Sequence, residues 1–147
     1  MKRNIAIPKT VLWSLASAAA SALLVIGVQT AWAAASGPPK IEVLFNLDLE
    51  DIDGRTLSLT SLEYPPGAAS PAHRHPAHTI VYVVSGHVES SLDDGEPIVY
   101  GPGEVWYESP MQLHATFRNP SDTEPFKAIA FMVRDTNKPA TLLGHGR

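Results

Sequence analysis

The chain has 147 residues, no cysteine and a formal charge of −4 at pH 7. That length holds one domain once a leader is set aside, the acidic balance weighs against nucleic acid or an anionic membrane surface as a partner, and no disulfide can support the fold. Stability has to come from a packed core.

The first residues read as an export signal. Lys2, Arg3 and Lys9 precede an apolar stretch over 11–28, and Thr30-Ala31-Trp32-Ala33-Ala34-Ala35 supplies a small-x-small exit. A basic start, an apolar middle and such an exit are what a secretory signal peptide needs, so residues 1–33 are expected to be cleaved after Ala33 or, as second choice, after Ala35. The apolar run is also near the length that spans a bilayer, which keeps a retained anchor as the alternative. Cleavage removes three basic residues and no acidic one, so the mature domain becomes more acidic and is expected in the periplasm or outside the cell. Lys2-Arg3 is not a twin arginine, which favours general secretion.

Residues 34–40 contain Ser36-Gly37-Pro38-Pro39 and read as a linker to a domain over 41–133. Residues 41–45 alternate like a strand with one buried face, and Asp53-Gly54 turns the chain into a second alternating run over 56–60. Residues 79–84 are β-branched and aromatic, too short for a helix, and predicted to form a strand buried on both faces. Further strands are predicted over 87–92, 97–100, 105–107, 113–117 and 126–133, separated by turn signals such as Ser85-Gly86, Asp93-Asp94-Gly95, Gly101-Pro102-Gly103 and Asn119-Pro120. The pattern fades over 134–147, which reads as a tail, with His145 solvated between two glycines. Short strands punctuated by Gly and Pro mean an all-β sandwich or barrel, and a jelly roll of about eight strands fits the length.

His73 and His75 are the chemical signal. Alternate side chains of an extended strand share a face, so two imidazoles two residues apart can converge on one point. Neutral imidazole binds zinc, copper, iron or nickel at neutral pH. The competing reading is an exposed pair in a Pro-rich loop.

The stretch Gly67-Ala68-Ala69-Ser70-Pro71-Ala72-His73-Arg74-His75, followed by Thr79 and Gly86, resembles the first motif of the cupin family: glycine, five residues, His-x-His, three or four residues, glutamate, six residues, glycine. Gly103, His114 and Asn119 resemble the second motif, with Ser109 in the proline slot, Pro110 one later, Met111 in the second glycine slot and Asn119 one residue late. The resemblance implies a double-stranded β-helix barrel, a jelly roll, whose single divalent transition metal (Fe, Mn, Ni, Cu or Zn) is held by His73, His75 and His114. The glutamate slot falls on Thr79, a poor ligand. Three neutral imidazoles without a carboxylate leave the cation's charge uncompensated, which is expected to favour an anionic or enolate-like ligand.

Strand parity places Val81, Val83, Gln112 and Thr116 on the inward face with Trp106 or Tyr107, giving a mostly apolar pocket for a small molecule. Arg74 is expected to face away from the histidines, Glu104 to be exposed and His78 to serve at the surface or behind a ligand. His87 has no positional support as a ligand. Tyr107 or Glu108 is held in reserve for proton transfer. Two functional readings follow. One is an exported metal-dependent dioxygenase acting on a small chelating oxygen or thiol compound, in line with three-histidine sites among cupins. The other is a periplasmic module of the same fold that captures a small molecule or metal without chemistry. Cupins often pair, so a homodimer is expected by analogy.

Overall fold

The computed structural model describes residues 37–144, so the expected leader, its cleavage site and His145 lie outside the described residues. Ten strands follow in order: β1 Lys40–Asp48, β2 Arg55–Tyr64, β3 His73–Arg74, β4 Ala77–Ser85, β5 Val88–Leu92, β6 Ile98–Tyr100, β7 Val105–Glu108, β8 Leu113–Arg118, β9 Phe126–Asp135 and β10 Leu142–Leu143. They form two five-stranded antiparallel sheets, β1-β2-β9-β4-β7 and β10-β3-β8-β5-β6. This is the expected jelly roll.

Between the sheets lies a core that includes Tyr64, Val83, Val88, Phe117, Phe126 and Ala128. Tyr64 stacks on Phe126 at 4.9 Å and meets Phe117 edge-on at 5.0 Å, so three aromatics from three strands anchor the sheets to one another. Asn119 closes one end of this core. Its amide donates to the carbonyls of Tyr64, Pro65 and Glu124, and its Oδ1 accepts the Ser121 N–H.

Two strands differ from the sequence reading. β4 is buried on one face only: Ala77, Thr79, Val81 and Val83 point inward, while Ile80, Tyr82 and Val84 stay about half exposed. A two-layer roll covers the inner face of each sheet and leaves the outer one bare, so an apolar run does not by itself mean double burial. β1 has no buried residue at all, because it is an edge strand and among the described residues no strand pairs beyond it. Its Ile41 and Val43 overhang a cavity instead.

The tail expected over 134–147 is in part structured. β9 continues to Asp135, and β10 pairs with β3 through Leu142 opposite Arg74 and Leu143 opposite His73. A two-residue strand carries too little periodicity to be seen in sequence.

Glycine is required at one turn above all. Gly86 has φ +71°, and a Cβ there would lie 2.5 Å from the Pro125 carbonyl oxygen and 2.7 Å from the Phe126 Cα. Met111 stands at φ 65° in the slot of the second motif's missing glycine. Its backbone is fixed on both sides, Met111 N donating to His75 O at 2.7 Å and Arg74 Nη1 to Met111 O at 2.7 Å. Arg74 therefore faces away from the histidines, as parity predicts, and holds the loop beside them.

Candidate metal centre

The chain leaves one sheet at Arg74 and enters the other at Ala77, and the intervening His75-Pro76 keeps the inward alternation. His73, His75, Ala77 and Thr79 thus line one wall that bridges the two sheets. Pairing of β3 with β8 sets His73 directly opposite His114. The His73 ring lies 4.8 Å from that of His75 and 5.0 Å from that of His114. One ring nitrogen from each of the three histidines falls within 4.8 Å of the others.

Each ring is held from behind. His73 Nδ1 meets the Pro71 carbonyl at 2.8 Å, and His75 Nδ1 meets the Ala140 carbonyl at 2.8 Å. A carbonyl only accepts, so both Nδ1 atoms carry the proton and both Nε2 atoms offer a lone pair. His114 Nε2 is engaged by Ser90 Oγ at 2.8 Å, leaving its Nδ1 for the site. Burial pushes all three histidines below their ordinary pKa, His114 to about 3 with added repulsion from His73 and His75. Neutral imidazole is the form that binds metal.

A carboxylate completes the wall. Glu108 on β7 is 1 % exposed, with Oε1 accepting the Trp106 indole N–H at 2.9 Å. Oε1 lies 3.2 Å from His114 Nδ1, and Oε2 lies 3.7 Å from His75 Nε2. Burial raises the Glu108 pKa, against the indole hydrogen bond that lowers it. The wall of three imidazoles without a carboxylate, expected from Thr79, is therefore not what the fold builds. A neighbouring strand supplies the acid.

Among the described residues, the buried side-chain atoms without a hydrogen-bond partner are Thr79 Oγ1, Glu108 Oε2 and His114 Nδ1. All three belong to this wall. Buried polar atoms seldom stay unpaired, and each costs about 1–3 kcal/mol when they do. Imidazole nitrogens and a carboxylate oxygen are the donor set that a divalent transition metal takes, so the residues present fit such an ion.

The wall closes one side of a cavity of about 360 Å³ whose other sides are largely apolar, with Leu62, Val81, Phe117, Ala130 and Met132 among them. Of the expected lining, Val81 is present. Val83 is fully buried and belongs to the core rather than the cavity, and Trp106 serves by holding Glu108. Gln112 turns to the surface, where Oε1 accepts the Ser109 N–H and Nε2 donates to Asp93. Thr116 loses its inward place to a bulge: Ser91 pairs with Thr116 and Leu92 with His114, so Ala115 is extra and Phe117 turns inward instead. Tyr107 faces outward and meets His78 Nδ1 through its hydroxyl at 2.7 Å. Glu104 and His87 are exposed.

Sequence reasoning missed Ser90, Ala140 and the cavity's edge at Thr141 and Leu143, and it gave Glu108 too small a part. Parity offered one signal for Glu108, which lies two residues from Trp106 and shares its inward face.

A small jelly roll with an inward histidine triad defines a class of β barrel, and comparison with known proteins gives that class its family. The cupin domain family matches residues 60–132, and the chain belongs to the cupin superfamily. Three solved structures illustrate the likeness. An uncharacterized conserved protein with a double-stranded β-helix domain from Klebsiella pneumoniae is 20% identical at a TM-score of 0.60, over 76% of this chain and 88% of that one. A cupin 2 domain-containing protein from Halorhodospira halophila is 21% identical at 0.59, over 74% and 71%. The DMSP lyase DddQ from Ruegeria pomeroyi is 24% identical at 0.58, over 72% of this chain and 51% of the lyase, so the chain spans about half of that enzyme. At such identities the likeness is one of fold. No curated protein matches the chain.

Proposed function

We propose that the mature chain is an exported, metal-dependent cupin of the oxygenase type, in which His73, His75 and His114 hold one divalent transition metal and the cavity takes a small chelating compound. The observation that carries this reading is the convergence of three buried ring nitrogens within 4.8 Å at the wall of an apolar cavity. When bound, such an ion would supply Lewis-acid and redox chemistry to an oxygen- or thiol-bearing group.

The chain's own residues do the rest. The Pro71 and Ala140 carbonyls fix the tautomers of His73 and His75, Ser90 fixes the ring of His114, and the apolar lining excludes water and selects a compound with few polar groups. Of Tyr107 and Glu108, the two groups expected to move protons, only Glu108 faces the cavity. The test is elemental analysis of protein purified without tag or chelator, beside His73→Ala, followed by oxygen uptake of the iron-loaded protein with a panel of small thiols and diketones. Near-stoichiometric metal lost in the variant, with uptake on one substrate, supports the reading. Tight ligand retention without turnover replaces it with the binding module, and a wild type that refuses added metal overturns it.

The partner we propose is a second copy of the chain. Ile80, Tyr82, Val84, Val105, Tyr107 and Phe131 are each 38–56 % exposed on the outer face of one sheet. Phe45 and Leu47, opposite Leu59 and Leu57 in the register, extend that face across β1. Taking large apolar side chains at roughly 200 Å² each, these eight expose roughly 700 Å², close to the roughly 800 Å² per partner of a standard interface. The face carries no charge near its centre; the Glu63–Lys127 pair lies at one end. Analytical ultracentrifugation should show a dimer that Tyr82→Glu dissociates, and a wild-type monomer at micromolar concentration sinks the idea.

A further inference from the structure

We propose that Glu108 is the carboxylate ligand of this centre, the acid having moved sideways by one strand from β4 to β7. The inference rests on the reading that the three histidines hold a metal.

Three observations carry it. The first is register. Thr79, in the usual glutamate slot, is fully buried and pairs directly with Glu108 across β4 and β7. Residues opposite one another in an antiparallel pair share a face, with Cβ atoms roughly 5 Å apart, a distance a glutamate side chain spans. An acid on either strand therefore reaches the same part of the wall.

Distance is the second. Two ligand atoms about 2.1 Å from one ion at a tetrahedral angle lie roughly 3.4 Å apart. Glu108 Oε2 lies 3.7 Å from His75 Nε2, close to that figure, and the carboxylate also approaches His114 Nδ1, through Oε1 at 3.2 Å. Neither pair is a hydrogen bond, since His114 Nδ1 and Glu108 Oε2 both lack a partner.

The third is the division of labour on the carboxylate. Oε1 accepts the Trp106 indole N–H while Oε2 is free, as expected of a ligand steadied by one outer hydrogen bond. Among the described residues the basic groups within ion-pair distance of it are His75 and His114, and no lysine or arginine is paired with it. A buried carboxylate needs a cation, and the position of this one suits an ion shared with the histidines.

The experiment titrates cobalt(II) into the metal-free protein, reading affinity by competition and coordination by the visible spectrum. It compares wild type, His73→Ala, Glu108→Gln, Glu108→Thr and the exchange Thr79→Glu/Glu108→Thr, each checked for folding by circular dichroism. Loss of the ligand should weaken cobalt at least about 100-fold in both Glu108 variants and change the visible bands. Returning the acid to position 79 should restore binding to within about tenfold of wild type. Glutamine keeps the shape of Glu108 and still accepts the indole hydrogen bond, so a residue that only positions its neighbours would leave both affinity and spectrum unchanged. That outcome overturns the proposal, as does a well-folded exchange variant that recovers nothing. If the exchange variant fails to fold, Glu108→Gln decides alone. A wild type that binds no cobalt, or a His73→Ala that binds it equally well, instead overturns the underlying metal reading.

Discussion

Replacing Asn119 with alanine should cost the domain about 3–4 kcal/mol, and the figure follows from what the side chain holds. Asn119 is 1 % exposed, and its amide nitrogen serves the carbonyls of Tyr64, Pro65 and Glu124 at 3.1, 3.0 and 2.8 Å. The Pro65 carbonyl keeps a second donor, Ala68 N, but Tyr64 and Glu124 lose this bond outright. Two buried hydrogen bonds at about 1–1.5 kcal/mol each, with a further ~1 kcal/mol for the small void, give that total. Small domains are stable by about 5–15 kcal/mol, so the loss is a large share of the whole. It corresponds to a fall in melting temperature of roughly 15 °C. The assay is urea unfolding of both proteins with the slope m compared as well as the midpoint. Asn119→Asp sharpens the test: it keeps the acceptor for Ser121 N but sets a charge against three carbonyls, and should be less stable than the alanine variant at pH 7. An alanine variant within about 1 kcal/mol of wild type at unchanged m would refute the reasoning, because the carbonyls would then have found other donors.

Gly86→Ala should destabilise by more than about 2 kcal/mol, since it adds a backbone clash to an unfavourable positive φ, whereas Gly67→Ala, at φ +69° in open space, should cost about 1 kcal/mol; equal melting temperatures would remove the steric argument. The metal-free protein should lose stability as pH falls below the ordinary histidine value of 6.5, because the unfolded chain then takes up protons that the folded one refuses. His114 sustains this down to about 3 at about 1.4 kcal/mol per pH unit, and the lowered His73 and His75 steepen its upper part. The raised Glu108 acts the other way, stabilising below its ordinary 4.5 and losing that contribution as pH rises through its folded value. Melting temperatures in chelator from pH 7 to 4 read the net slope, and a flat profile contradicts it. Removing the chain from Ala140 onward strips the acceptor from His75 Nδ1 and part of the cavity's rim, and should weaken cobalt binding about 10- to 100-fold with little change in melting, β10 being two residues long. Unchanged affinity in the truncated protein would assign the tail no part in the site.

The roll itself was legible because its strands end at residues that cannot continue them, Gly86 and Pro102 among them, and because His73 and His75 obey a period that survives the crossing between sheets. What stayed hidden depends on pairing between distant segments. The place of Glu108 follows from the register of β4 against β7, which no local pattern encodes. Thr116 was misplaced because parity counts every residue, and the bulge at Ala115 removes one from the count. Double burial of β4 failed because its outer face is as apolar as its inner one. Met111 shows the opposite case: the departure from the motif was visible, yet the backbone keeps the conformation a glycine would take.

The hydrogen bond from His75 to the Ala140 carbonyl joins residues 65 apart. His73 meets a carbonyl only two residues away, but His75 has no such local anchor and depends on the segment that carries β10 docking on β3. The ring orientation of His75 is thus a long-range property of the fold, set only when distant segments have closed on one another, whereas that of His73 is local.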